Sequence, residues 1–139
     1  MRFLDANVFI YAFYKPKRKL TEEQALMKER AKEIIKKLMN GSENFLTSVV
    51  HISEMVNILK KVLPLKDLSL ILSTLYCLEN LEIVDITKEE YMLAIELMNE
   101  YKMDPNDCLA IYIMNKRGIK EIYSFDRDFD NVEGIARLP

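Results

Sequence analysis

Met1-Arg-Phe-Leu-Asp-Ala-Asn7 is the stretch on which the reading of the whole chain turns. Phe3 and Leu4 make a short buried strand, which starts at once with no leader. Asp5 falls at its carboxyl edge, where the chain has to turn. Asn7 is placed to cap the amphipathic run Val8–Tyr14, since its side chain can accept a hydrogen bond from an early helical N–H. Ligands of open parallel sheets gather outside the carboxyl ends of the strands. Asp5 is therefore a candidate site residue, and the remaining chain is read for acids that reach the same place.

Working outward, helices and strands alternate. Thr21-Glu-Glu-Gln24 is a capping box that opens a helix to about Met39, with Ala31, Ile34, Ile35 and Leu38 on one face. Asn40-Gly41 ends it. Glu43–Thr47 reads as a second strand, and Ser48 caps a helix through about Leu63, closed by Pro64. Leu65–Leu78 is a further helix, apolar on nearly two faces, which points either to deep packing or to a partner surface. Leu81–Ile86 alternates like a strand. Thr87-Lys-Glu-Glu90 is a second capping box for a helix to about Tyr101. Asp104-Pro-Asn-Asp107 supplies a cap, a Pro in the first helical position and a first-turn acid. That helix runs to Asn115 and stops at Gly118. Glu121–Phe125 is the fourth strand, Asp126-Arg-Asp-Phe-Asp130 follows it directly, and Ile135–Leu138 adds a weak fifth. This order predicts an α/β domain, 1–139, around a mainly parallel sheet of four to five strands.

Composition narrows the class. Of 139 residues, 50% are hydrophobic, 30% are charged and only 3 are Gly, so the chain is built to bury a core and is not low-complexity. A net charge of −2 leaves no global basic footprint, so any nucleic-acid contact has to be local. Cys77 and Cys108 sit in apolar helical patterns and read as small buried hydrophobes. No stretch approaches the ~20 apolar residues of a membrane span, and no signal pattern opens the chain. A cytoplasmic protein is expected.

Four acids stand out by position. Asp5 and Asp126 end strands one and four, Asp107 opens the helix before strand four, and Glu54 lies early in the helix after strand two. Each alone has an ordinary explanation as a turn former, a solvated charge or a helix-dipole partner. Together they share one rim of a parallel sheet, where crowded carboxylates repel and must take up protons or a cation. An all-oxygen set suits a hard divalent ion such as Mg²⁺ or Mn²⁺. Such an ion activates water and lets an acidic pocket accept a polyanion, which points to phosphodiester hydrolysis.

Leu4-Asp-Ala-Asn-Val8, Ser53-Glu-Met-Val-Asn57, Asp107-Cys-Leu-Ala-Ile111 and Ser124-Phe-Asp-Arg-Asp-Phe129 resemble, in order and spacing, the four acidic motifs of PIN-domain ribonucleases. The nearest branch is that of the VapC-type toxins of toxin–antitoxin pairs, and the resemblance runs essentially end to end. It implies a three-layer α/β/α domain and an endoribonuclease dependent on one or two Mg²⁺ or Mn²⁺ ions, with an antitoxin as partner. Asp5, Glu54, Asp107 and Asp126 match the metal-binding acids. Asn7 matches the small polar residue of the first motif, and Asp128 is a supporting acid or an alternate ligand. Asp104 has no counterpart and is explained by its capping role.

Lys15, Lys17, Arg18 and Lys19 form a basic turn able to touch an RNA backbone, and Arg127, between two rim acids, is better placed to do so. His51, three residues before Glu54, is read as structural. Tyr11, Phe13 and Tyr14 are read as core and partner contacts. The apolar Leu65–Leu81 segment suggests a homodimer. Two other classes compete with the ribonuclease: a non-catalytic member of the same fold that binds RNA or protein, and an aspartyl-phosphate enzyme. The latter wants a second Asp two residues after the nucleophile, where this chain has Asn7, or a receiver-type setting that Asp85 lacks.

Overall fold

The computed structural model describes Met1–Pro139. Five strands, β1 (Arg2–Leu4), β2 (Phe45–Ser48), β3 (Leu81–Val84), β4 (Glu121–Tyr123) and β5 (Ala136–Leu138), form one sheet in the order β3-β2-β1-β4-β5. Every pairing is parallel. Phe3 is in register with Leu46 on one side and Ile122 on the other, so β1 is the central strand. From β1 the chain winds outward through β2 and β3, then returns to lay β4 and β5 on the opposite flank. Connections leave in opposite directions between β1 and β4, and a crevice opens there at the strands' carboxyl ends.

Alternation along each strand sorts its side chains between the two faces. Leu4, Phe45, Leu81 and Tyr123 pack with α1 (Ala6–Phe13), α2 (Glu22–Met39), α3 (Val49–Leu59) and α4 (Leu65–Cys77). Phe3, Leu46 and Ile122 pack with α5 (Lys88–Tyr101) and α6 (Pro105–Arg117) on the other face. The result is the three-layer α/β/α arrangement. No helix is long and apolar enough to cross a membrane.

Local chemistry accounts for most helix ends. Thr21 with Gln24 and Thr87 with Glu90 close both capping boxes. Ser48 caps α3 and Asp104 caps α6, with Pro105 in the first turn. Lys28 reaches back from α2 to donate to the carbonyls of Tyr11 and Tyr14 at 3.0 and 2.6 Å, gathering the end of α1. Gly118 ends α6 at φ +68°. Lys102 does the same for α5 at φ +57°, a left-handed conformation that costs a side chain roughly 1–2 kcal/mol.

Three expectations need correction. Asp5, not Asn7, caps α1, because its Oδ1 lies 2.8 Å from Ala6 N while Asn7 is drawn away to β4. The helix expected to run to Leu63 ends at Leu59, and a tight turn through Lys61–Leu63 completes it. Cys108 is buried as expected, but Cys77, the last residue of α4, is exposed. Of α4's apolar residues, Leu68 and Leu75 are buried, whereas Leu65, Leu70 and Tyr76 face solvent.

Candidate active site

Asp5 is placed by β1 at the crevice between β1 and β4, and it is almost wholly buried. A buried carboxylate needs donors for its lone pairs. Ala6 N–H donates to Oδ1 at 2.8 Å and the Ser124 hydroxyl to Oδ2 at 2.6 Å. Ser124, the first residue after β4, is itself a hub. Its Oγ accepts from the Asn7 amide at 3.3 Å and from Asp126 N–H at 3.0 Å. Asn7 Oδ1 in turn accepts from Phe125 N–H at 3.3 Å, so the two motifs at opposite ends of the chain are laced together.

Asp126 follows and caps a short 3₁₀ turn, Arg127–Asn131, by accepting from Asp128 N–H at 2.9 Å. Asp107 comes from the first turn of α6, and Asp5 and Asp126 are among the acids that bear on its carboxyl. Glu54 arrives from α3, roughly two turns after Ser48. Its Oε1 accepts from the Asn106 side chain at 2.7 Å, and the Asn106 Oδ1 accepts from the Tyr91 hydroxyl at 2.7 Å. A cleft of about 340 Å³ borders Glu54, walled by Ser53, Asn57, Ile58, Tyr91 and Asn106 with two valines.

The electrostatics follow from burial without a compensating cation. Burial is the main cause that pushes Asp107 up to about 9, with the charges of Asp5 and Asp104 and the contact with Asp126 adding to it. Burial likewise raises Asp5 to about 6, against the opposing bonds from Ser124 and Ala6. Glu54 is raised by burial too, and the Asn106 bond offsets part of the effect. Asp107 therefore holds its proton at neutrality.

Asp5, Glu54, Asp107 and Asp126 thus share one rim, and Asn7 lies among them. Asp128 is exposed on the 3₁₀ turn and its backbone, not its carboxylate, meets Asp126. No trio of acidic, His or Cys side chains is drawn close enough to grip an ion as it stands. The donor set nevertheless fits a hard cation. It is all oxygen and partly desolvated, and burial together with neighbouring acids raises Asp5, Glu54 and Asp107, a cost that a positive charge would relieve.

The basic residues divide. Arg127 is exposed beside the rim and shares a surface hollow with Arg30 and Arg137. Lys15, Lys17 and Arg18 are exposed beyond the far end of α1, a helix of 8 residues and so about 12 Å long. Lys15 instead borders a groove with Lys28, Lys32 and Leu70. Another groove, between Tyr11, Tyr14, Leu20 and Ile58, also belongs to the carboxyl half of α1 and not to the acids.

His51 is fully buried, and burial pushes it down to about 4. Its Nε2 lies 3.0 Å from the Asn106 carbonyl, which can only accept, so Nε2 carries the proton. Nδ1 then accepts from the Ser48 hydroxyl at 2.6 Å. The ring is a neutral staple, as its position in the sequence suggested. From the sequence alone Ser124 and Asn106 carry no assigned role, and Asp104 only that of a helix cap. Asp104 caps α6 through Asp107 N–H, yet its charge also bears on Asp5, Glu54 and Asp107. Only the direct sequence neighbourhood of Asp104 and Asn106 to Asp107 hinted at this.

The profile of the PIN domain family matches residues 2–135. This chain belongs to the PIN domain family. No curated protein matches it as a sequence relative. Solved structures resemble it in fold. One is a toxin–antitoxin complex from Klebsiella pneumoniae, with TM-score 0.66 and 17% identity over 98% of this chain and 96% of that one. Another is Mycobacterium tuberculosis VapC20, described as a sarcin-ricin loop cleaving toxin, with TM-score 0.66 and 18% identity over 94% and 93%.

Proposed function

We propose that this PIN domain is a Mg²⁺- or Mn²⁺-dependent endoribonuclease, the VapC-type toxin of a toxin–antitoxin pair. The observation that carries the reading is the gathering of Asp5, Glu54, Asp107 and Asp126 at the β1–β4 crevice, where the neighbouring acids add to burial in pushing Asp107 up. A structural cluster would gain nothing from such repulsion; a cation site gains affinity from it.

In this reading Asp5, Glu54, Asp107 and Asp126 hold one or two divalent ions. Bound there, an ion supplies charge neutralisation and a more acidic water for attack on phosphorus. The chain's own part is positional. Ser124 and Ala6 hold Asp5 rigid, and Asn7 ties β1 to the segment carrying Asp126. Asp107 gives up its proton on loading, so ion uptake strengthens with pH. Arg127 meets the RNA backbone beside the rim, and Asp128 stays a supporting acid. Lys15, Lys17 and Arg18 contribute at most to a distant stretch of RNA.

Partners follow the same reading. An RNA bearing a sarcin-ricin loop, which VapC20 is described as cleaving, is worth including among the RNAs tested, and the Klebsiella toxin–antitoxin complex supports an antitoxin as the bound protein. A second copy of the chain would cover Leu65, Leu70 and Tyr76 of α4, which light scattering tests. The site of action is the cytoplasm.

The deciding experiment incubates purified protein with single-stranded and looped RNAs and Mn²⁺ or Mg²⁺, beside Asp5→Asn protein and a chelated sample. Metal-dependent cleavage lost in Asp5→Asn supports the reading. A folded wild type inert over the whole panel turns the assignment to a non-catalytic RNA- or protein-binding PIN module. Cleavage undiminished in Asp5→Asn removes the site assignment.

A further inference from the structure

We propose that Asn106 is a positioning residue for Glu54, its side-chain amide holding the carboxylate at the acid rim while Tyr91 and His51 hold Asn106. The inference rests on the metal-site reading above and deepens it.

A glutamate on a helix surface has freely turning side-chain torsions, and ordering them costs side-chain entropy. Glu54 is fixed from outside its own helix. Asn106 Nδ2 donates to Oε1 at 2.7 Å, from the position directly before Asp107 on α6. The bond engages Oε1 and leaves Oε2 available to a ligand. An amide is also the right group for the task. Arg or Lys at this place would orient Glu54 but cancel the charge a cation needs, whereas a neutral donor orients it and keeps the charge.

An asparagine amide is useful here only in one of its two orientations, since the reverse would aim an oxygen at a carboxylate. The Tyr91 hydroxyl, donating to Oδ1 at 2.7 Å from α5, selects the productive one. The Asn106 backbone is fixed separately, by the neutral His51 ring donating to its carbonyl at 3.0 Å. Ser48, the cap of α3, orients that ring. Thus one residue receives bonds from α3 and α5 and passes their rigidity to the Glu54 carboxylate. Partners of this outer kind are worth 10–100-fold in metal affinity elsewhere.

The test titrates metal-free protein with Mn²⁺ by calorimetry, using wild type, Asn106→Ala, Tyr91→Phe, Glu54→Gln and the Asn106→Ala/Glu54→Gln double variant. Circular dichroism checks folding. Asn106→Ala is expected to weaken Mn²⁺ binding by about 10-fold or more. The Mn²⁺ needed for half-maximal cleavage should rise in proportion, with KM for RNA unchanged. Tyr91→Phe should lose affinity in the same direction by less, and it carries the test if Asn106→Ala fails to fold. Because Asn106 acts through Glu54, adding Asn106→Ala to Glu54→Gln should cause no further loss. Affinity within about twofold of wild type in the single variant, or an undiminished effect in the Glu54→Gln background, overturns the proposal. A wild type that binds no Mn²⁺ overturns it together with the metal-site reading. A wild type that binds Mn²⁺ but cleaves no RNA overturns the ribonuclease reading alone, and the isotherms still decide on Asn106.

Discussion

The Ser124 hydroxyl donates to Asp5 Oδ2 at 2.6 Å across 119 residues of chain, and the same oxygen accepts from Asn7 and from Asp126 N–H. Replacing Ser124 by Ala strips a buried carboxylate of one of its donors and leaves Asn7 and Asp126 N–H without their acceptor. Hydrogen bonds to charged groups are worth about 1.5–3 kcal/mol. Ser124→Ala is therefore expected to lower unfolding stability by roughly 2 kcal/mol in urea at neutral pH. Cleavage should fall as well. A variant as stable as wild type would show that Asp5 is held by something else.

Asp107 gives a pH dependence whose sign is fixed by its raised value. The unfolded chain releases this proton near 3.8, the folded chain near 9. Between those values the folded state holds the extra proton, so stability declines as pH rises and levels off above the window. Asp5, pushed up to about 6, adds to the slope at its lower end. Asp107→Asn stays neutral and escapes the larger part of the decline. In metal-free buffer it should melt above wild type at pH 8, by roughly 5 °C, with a gap that shrinks toward pH 4. Scanning calorimetry at several pH values checks this; a gap independent of pH would remove the electrostatic explanation.

Lys102 holds a backbone conformation that glycine adopts freely. Lys102→Gly relieves strain of roughly 1–2 kcal/mol, offset in part by the greater freedom of unfolded glycine. A net stabilisation of about 0.5–1 kcal/mol is expected in chemical denaturation. Since Lys102 is exposed and makes its backbone bond to Met98 in any case, cleavage should not change. A destabilised variant would mean the lysine side chain contributes more than its backbone costs.

Element types and order were legible in the sequence because the signals are local. Capping boxes at Thr21 and Thr87, and Pro105 after Asp104, mark helix starts within four residues of chain. Contests between neighbours were not legible. Asp5 and Asn7 are both good caps, and the choice was made by Ser124 and Phe125, far away in sequence, which engage Asn7. Asn106 lay between a recognised cap and a recognised acid, yet its partners Tyr91, His51 and Glu54 come from two other helices. The acids showed themselves by their places at strand and helix ends, whereas the neutral groups that hold them are defined only by contact. Cys77 was misjudged for a related reason: an apolar pattern on α4 does not say which of two apolar faces the sheet will cover.

Because β1 lies between β2 and β4, the first strand made is completed by nearly the last, with Phe3 aligned to Ile122. During synthesis Asp5 leaves the ribosome early but has no Ser124 to bind until the far end of the chain has also emerged. Non-local pairing of this kind forms late and cooperatively. The nascent chain therefore carries separated acids, not yet gathered, for as long as β4 is unmade. Any chemistry that needs them together waits until β4 and Ser124 have been made, a delay written into the strand order itself.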